Sequence, residues 1–401
     1  MGGGAKAGPA VKGFEFSAVS CGIKKGDLLD LALIHSRRPA DAAGAFTTNR
    51  VAAAPVILDR QRVQRGKARA ILVNAGCANA CTGQEGYRDA LESSRWVAEA
   101  LGLAEEDVLV ASTGVIGVPL PMGLLEAGIA PLVSALDEEA LPSVARAIMT
   151  TDTRPKWTVR SSALGGEEVR MAAVAKGAGM IHPRMATMLC FAMTDAAVPS
   201  PVLRRSLMAA LDGSFHAITV DGDTSTNDTV LVLANGASGA PPVEDGSPLE
   251  ADFTTLLHGV LEEMALAIVR DAEGATKTIH LHVRGAKDRE EARIVASVIA
   301  DSPLVKTAFY GGDVNWGRIL AAAGRSGVEM DPERMDLWYE GVQLVRSGHG
   351  VGGQAEEAAK EVAGRKEFTV TLDLGMGQGE AVMHTCDLSH EYVTINASYK
   401  T

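Results

Sequence analysis

Short aliphatic runs alternate with amphipathic stretches along most of this chain. Residues 68–74 form an apolar run suited to a sheet, residues 87–101 then carry apolar positions at helical spacing, and Gly102 follows as a C-terminal stop. The rhythm continues with an expected strand over 107–112 and a helix over 137–149 that holds Pro142 in its first turn. Another strand is expected over 171–175. Residues 187–193 lack polar alternation, the pattern of a strand buried on both faces, which would set Thr187 at its first position. Ser200 and Pro201 read as N-cap and first residue of a helix reaching 217, and 249–271 keeps helical spacing for about six turns. Residues 278–283 alternate as a strand, 288–299 read as a helix, and 368–374 with 381–388 read as a hairpin across Gly375 to Gly379. The tail, 391–401, alternates well enough for a last strand. Residues 37–41 and 236–246, the latter with Pro241 and Pro242, read as loops.

This order of elements predicts an α/β protein, and 401 residues are enough for two or three packed units. Composition narrows the partners. With 38 basic and 50 acidic residues the net charge is -12, which disfavours nucleic acid and anionic membranes and leaves small metabolites as ligands. The five cysteines, Cys21, Cys77, Cys81, Cys190 and Cys386, are few, odd in number and scattered, so reduced thiols in a cytoplasm are expected. Cys77 and Cys81 have no second Cys or His pair nearby and read as packing residues rather than a zinc site; no metal is expected. The first residues lack a signal-peptide core, no apolar run is long enough to span a bilayer, and no internal repeat is evident.

The chemistry-bearing stretch is Lys176 to Leu189, a Gly-rich approach leading to Ala186-Thr187. A hydroxyl on the residue after a scissile carbonyl can attack it through a small ring, turning the amide into an ester that water then cleaves. Cutting there frees an α-amine on Thr187, and such an amine, with a reference pKa of about 7.7 to 8.0, can take the proton from its own residue's hydroxyl. The plain alternative is a threonine placed for β-propensity. Ser112 to Gly117 offers hydroxyls and backbone N–H groups, the materials of an oxyanion hole, or else a strand-to-helix turn. Asp221 to Asp228 looks like the opening of a calcium loop but lacks the sixth-place Gly and has Val232 where a bidentate Glu belongs. Gly311 to Arg318 reads as the end of a strand followed by a helix capped by Asn315. His280 and His282 share a strand face without a ligating spacing.

Taken in order, Asn74 to Gly83, Ser112 to Gly117, Met149 to Thr153, Lys176 to Leu189, Asp221 to Asp228, Asp271 to Lys277, Gly311 to Ile319 and Glu391 to Thr401 closely resemble the ornithine acetyltransferase family, also called the glutamate N-acetyltransferases of the cyclic arginine pathway. The resemblance covers nearly the whole chain. It implies mixed sheets layered with helices in an N-terminal-nucleophile-type, αββα-like architecture, and self-cleavage at Ala186-Thr187. The pieces 1–186 and 187–401 would stay together as one catalytic unit and pair again into a heterotetramer of two such pairs. By the same likeness Thr187 is the nucleophile and Thr113 and Gly114 supply the oxyanion hole. Thr150, Lys176, Thr187, Glu273, Asn396 and Thr401 would contact substrate. Lys176 suits a substrate carboxylate and Glu273 an ornithine ammonium. Thr187 would take acetyl from N2-acetylornithine and pass it to glutamate without a cofactor, with acetyl-CoA as a possible second donor. A related nucleophile could instead send the acyl group to water, as an aminopeptidase or amidase does. The family pattern more often has Ala and Asn where this chain has His182 and Arg184, and Asn where it has Cys77. The first two bear on the rate of cutting.

Overall fold

The computed structural model describes residues 11–182 and 188–398. Ala186, Thr187 and Thr401, and with them the start of the expected strand over 187–193, lie outside the described residues. The strands are β1 (Phe14–Val19), β2 (Leu31–Phe46), β3 (Lys67–Cys77), β4 (Val108–Val115), β5 (Lys156–Leu164), β6 (Glu167–Lys176), β7 (Leu189–Thr194), β8 (Thr229–Ala234), β9 (Thr278–Ala286), β10 (Asp336–Tyr339), β11 (Val342–Arg346), β12 (His349–Gly350), β13 (Glu367–Asp373) and β14 (Gly379–Cys386). The helices are α1 (Ala54–Arg62), α2 (Gly83–Leu101), α3 (Met122–Ser134), α4 (Leu141–Ala147), α5 (Ser200–Asp212), α6 (Pro248–Arg270), α7 (Arg289–Ala300), α8 (Pro303–Gly311), α9 (Trp316–Gly324), α10 (Gly353–Ala363) and α11 (His390–Ser398).

Two mixed sheets carry the fold. The larger runs β4-β3-β2-β8-β7-β6-β5, with β1 paired to β2 off this path. Within it β3 and β4 are parallel, as are β7 and β8, while β2 meets both β3 and β8 antiparallel. Every residue of β7 and β8 is buried, as an apolar run without alternation requires of central strands. Alternate residues of β6, β7 and β8 pack on α5 and α6, and the opposite residues pack on β1 and α4. Leu31, Leu33, Leu72 and Val110 of β2, β3 and β4 pack under α1, α2 and α3. The smaller sheet, β12-β11-β10-β13-β9-β14, packs against α7, α8, α9 and α10. The expected α/β class with helix-layered mixed sheets is the one found.

Several local expectations change. The hairpin over 368–388 does not form: β9 lies between β13 and β14, parallel to the first and antiparallel to the second. Residues 374–378 are therefore a loop that passes over the end of β9, where the N–H groups of Met376 and Gly377 donate to Gly285 O, and Gly379 begins β14. The described part of the tail, 391–398, is helical, within α11, rather than a strand. Its alternation of apolar and polar residues faces largely solvent, so nothing holds it extended, and none of its described residues is buried. Residues 37–41 belong to β2, which crosses the sheet with a register shift between His35 and Ala40. Gly311 ends helix α8, not a strand, although Asn315 does cap α9 by accepting from the N–H of Arg318. Ser200 is the first helical residue of α5 and gives no side-chain cap; the helix ends at Asp212, with a 3-10 turn at Phe215–Ala217.

Candidate active site

The C-terminal ends of β4 and β6 open beside the 221–227 loop that leads into β8, and a cavity of about 250 Å³ lies between them. Its wall includes Thr113 and Gly114 from β4, Thr150 from the turn after α4, Lys176 from β6, Glu273 from the turn after α6, and Asn396 from α11. Six site residues named from sequence thus meet in one place. The described chain resumes at Met188, whose N–H donates to Asp228 Oδ1 at 3.0 Å.

Lys176 is fully buried, and burial lowers its pKa from the ordinary lysine value while Asp152 pulls it back up. Its Nζ donates to Thr113 Oγ1 at 3.1 Å. An ammonium has donors only, so the Thr113 hydroxyl accepts here and its own proton points elsewhere. Gly114 sits at φ +134°, with its Cα packed on the backbone of Gly76 and Cys77; any β-carbon would overlap those atoms.

Beneath Lys176 lies a buried ionic cluster. Lys156 Nζ bridges Asp152 Oδ1 at 2.6 Å and Asp271 Oδ2 at 2.5 Å. Asp152 also accepts from Gly177 N at 2.8 Å and Thr150 N at 3.0 Å, so one carboxylate positions residues on two walls. Burial pushes the Asp152 pKa up, but Lys176, Lys156 and the Gly177 N–H outweigh it and hold the carboxyl at about 2. Asp271 accepts from Thr153 N at 3.1 Å and from its hydroxyl.

The opposite wall is acidic. Glu273 Oε2 accepts from Asn396 Nδ2 at 2.8 Å, and its carboxylate lies against Gly179, where a methyl group would collide with it. Asp221 accepts from Met180 N at 2.6 Å, Ile181 N at 3.0 Å and the Tyr392 hydroxyl at 3.2 Å. Burial raises the Asp221 pKa. Burial likewise carries the buried Asp228 carboxyl well above the usual carboxylate range, against the Met188 N–H. A substrate bearing a carboxylate and a separate ammonium would find Lys176 on one side and Glu273 with Asp221 on the other.

A family model described as ArgJ family matches residues 15–401. This chain belongs to the ArgJ family. It is 52% identical over 391 residues to the arginine biosynthesis bifunctional protein ArgJ of Geobacter sulfurreducens, covering 98% of this chain and 100% of that one. To the protein of the same name from Syntrophotalea carbinolica it is 51% identical over 391 residues, 98% of this chain and 99% of the other. The crystal structure of arginine biosynthesis bifunctional protein argJ from Bacillus halodurans matches with 40% identity and a TM-score of 0.50, over 52% of this chain and 98% of that chain. As an ArgJ-family member the protein is an acetyl-transferring enzyme of arginine biosynthesis.

Reasoning from sequence missed Asp152, Lys156, Asn227 and Tyr392. Asp152 stood inside the 149–153 motif and Asn227 inside the 221–228 motif, which does not make a calcium loop and instead lines the cavity with Asp221, Asp223 and Ser225 to Asn227. Tyr392 and Asn396 stand four apart, a helix-face spacing hidden by the strand reading of the tail. Cys77 is buried, Cys81 exposed and both are free, and among the described residues no group of three or more His, Cys, Asp or Glu is placed to hold a metal. No helix among the described residues is long and apolar enough to cross a membrane. His182 Nδ1 lies 3.4 Å from Asp301 Oδ2; Arg184 is outside the described residues.

Proposed function

We propose that the protein cuts itself between Ala186 and Thr187 and then moves acetyl from N2-acetylornithine to glutamate through an acetyl ester on Thr187. The observation that carries this reading is the convergence of Thr113, Gly114, Thr150, Lys176, Glu273 and Asn396 on one cavity, whose wall also includes Asn227, the chain neighbour of the Asp228 carboxylate that accepts from the Met188 N–H.

In the cut, the Thr187 hydroxyl adds to the Ala186 carbonyl carbon, the C–N bond breaks to leave an ester and a free amine, and water hydrolyses the ester. In the first transfer step the Thr187 amine takes the proton from its own hydroxyl as the oxygen attacks the acetyl carbon of acetylornithine. Negative charge develops on the acetyl oxygen, where the Thr113 hydroxyl and the Gly114 N–H are the donors. Collapse breaks the amide bond, the proton passes to the departing ornithine nitrogen, and Thr187 is left acetylated. The α-amine of glutamate then attacks this ester and leaves as N-acetylglutamate, restoring the hydroxyl. Lys176 holds a substrate carboxylate and Glu273 the ornithine side-chain ammonium.

Acetyl-CoA serves as an alternative acetyl donor in this reading, no cofactor is needed, and two cleaved pairs assemble as a heterotetramer. Intact mass measurement of the purified protein tests it. Two chains, the second beginning at Thr187, are expected, with a Thr187→Ala protein uncut and inactive; a single uncut wild-type chain overturns the reading. N-acetylglutamate, rather than free acetate, is the expected product from acetylornithine and glutamate.

A further inference from the structure

We infer that Asn227 is a positioning residue for the oxyanion hole: its side-chain amide ties the end of β4 to the turn after β3 and so sets where the Thr113 and Gly114 donors point. The inference rests on the acetyl-transfer reading above. The β3 and β4 ladder is regular from Ala70 paired with Val108 up to Gly76 paired with Gly114, then slips, leaving Cys77 opposite both Thr113 and Val115. Beyond the slip the N–H of Ala78 reaches Val115 O at 2.9 Å. Two buried carbonyls remain for a side chain to satisfy. Asn227 Nδ2 donates to Ala78 O at 2.7 Å and to Ser112 O at 2.8 Å.

Carbonyls only accept, so the amide nitrogen must face them, and its two hydrogens are both consumed. Thr226 Oγ1 donates to Asn227 Oδ1 at 2.5 Å, and the Asn227 N–H donates to Ser225 Oγ at 3.0 Å, which fixes the residue at both ends. The Ser112 carbonyl shares a planar peptide with the Thr113 N–H, so anchoring one orients the other and everything that follows. Gly114 has no slack on the β3 side, where it already touches Gly76 and Cys77. Asn227 is the constraint from the other side. Although Asn227 lines the cavity, it has no amide hydrogen left for a substrate, so its contribution falls on the rate of acyl transfer and not on binding.

The test is steady-state acetyl transfer from N2-acetylornithine to glutamate, with active sites counted by the acetyl burst so that misfolded protein is discounted. Asn227→Ala is expected to lower kcat per active site by about 10- to 100-fold with KM changed less than about threefold, since the donors persist but lose their aim. The decisive readout is the double-mutant cycle with Thr113→Ala. If Asn227 acts through the hole, its loss costs far less in that background, whereas a merely structural role makes the two losses multiply. Unchanged kcat, a KM effect alone or multiplying losses overturns the inference. Should Asn227→Ala fail to fold, Thr226→Val removes the hydroxyl that orients the amide and is expected to lower kcat by about 3- to 10-fold; no change there overturns it equally. Wild-type protein without acetyl transfer refutes the functional reading itself, a separate result from an active wild type with an indifferent Asn227.

Discussion

Lys176 Nζ lies 3.1 Å from Thr113 Oγ1, a fully buried ammonium donating to the hydroxyl that faces the cavity. Because the hydroxyl must accept from Lys176, its one proton is free for an oxygen that becomes negative during reaction. Thr113→Val keeps the shape and removes that donor. It is expected to lower kcat by about 100- to 1000-fold with little change in KM, while Thr113→Ser stays within about tenfold of wild type. Steady-state kinetics decide; a KM effect alone would assign Thr113 to binding.

Asp152 holds the backbone of Thr150 and Gly177 and the ammonium of Lys156. Asp152→Asn keeps the volume but leaves two buried lysines short of a counter-charge, and is expected to cost about 3 to 5 kcal/mol in urea unfolding. Its pH signature has a definite sign. A carboxyl held at about 2 against an ordinary 3.8 adds stability that is complete above 3.8 and is lost as pH falls toward 2. The variant should therefore show a shallower decline in that window, and an equally steep one would refute the assignment.

Gly179 is what lets Glu273 approach. A β-carbon at 179 would overlap the Glu273 carboxylate, so Gly179→Ala must displace it, and Glu273→Gln removes its charge in place. Both are expected to raise KM for acetylornithine by about tenfold or more, the scale of a lost charge-assisted hydrogen bond, with a smaller effect on KM for glutamate. Equal shifts for the two substrates would show that Glu273 does not recognise the ornithine side chain.

His384 and His280 face each other with their Nδ1 atoms 2.6 Å apart, so one ring donates and the other accepts. Burial, then the charges of His280 and Arg270, push His384 down to about 4 from 6.5. The unfolded chain takes up this proton first, so stability is complete above 6.5 and lost as pH falls from 6.5 to 4. His384→Gln should flatten the fall in Tm between those values; an unaltered slope would mean that other groups govern it.

Elements with strong periodicity were legible in the chain: the central runs of β3, β6 and β7, and the helices α2, with its Gly102 stop, α6 and α7. What was not legible depended on partners distant in sequence. Nothing local in 368–388 announces that β9, some ninety residues earlier, inserts between two strands that look like a hairpin. The tail alternates like a strand, yet its described residues coil as α11, held by Tyr392 on Asp221 and Asn396 on Glu273. Likewise the site residues came from motif likeness, but the salt-bridge cluster of Asp152, Lys156 and Asp271 is a product of the fold, since Asp271 lies 115 residues beyond Lys156.

The strand order of the larger sheet carries one more consequence. β7 and β8 follow the Ala186-Thr187 bond in sequence, yet they are stitched between β2 and β6, which precede it. A severed polypeptide would thus remain interlocked, because parting the halves means unzipping two complete ladders through a dry interior. Halves synthesised separately would each begin life with raw, sticky strand edges. If the chain is cut at that bond as proposed, the uncut polypeptide serves as its own assembly jig, and the weave of the sheet requires folding to come before scission.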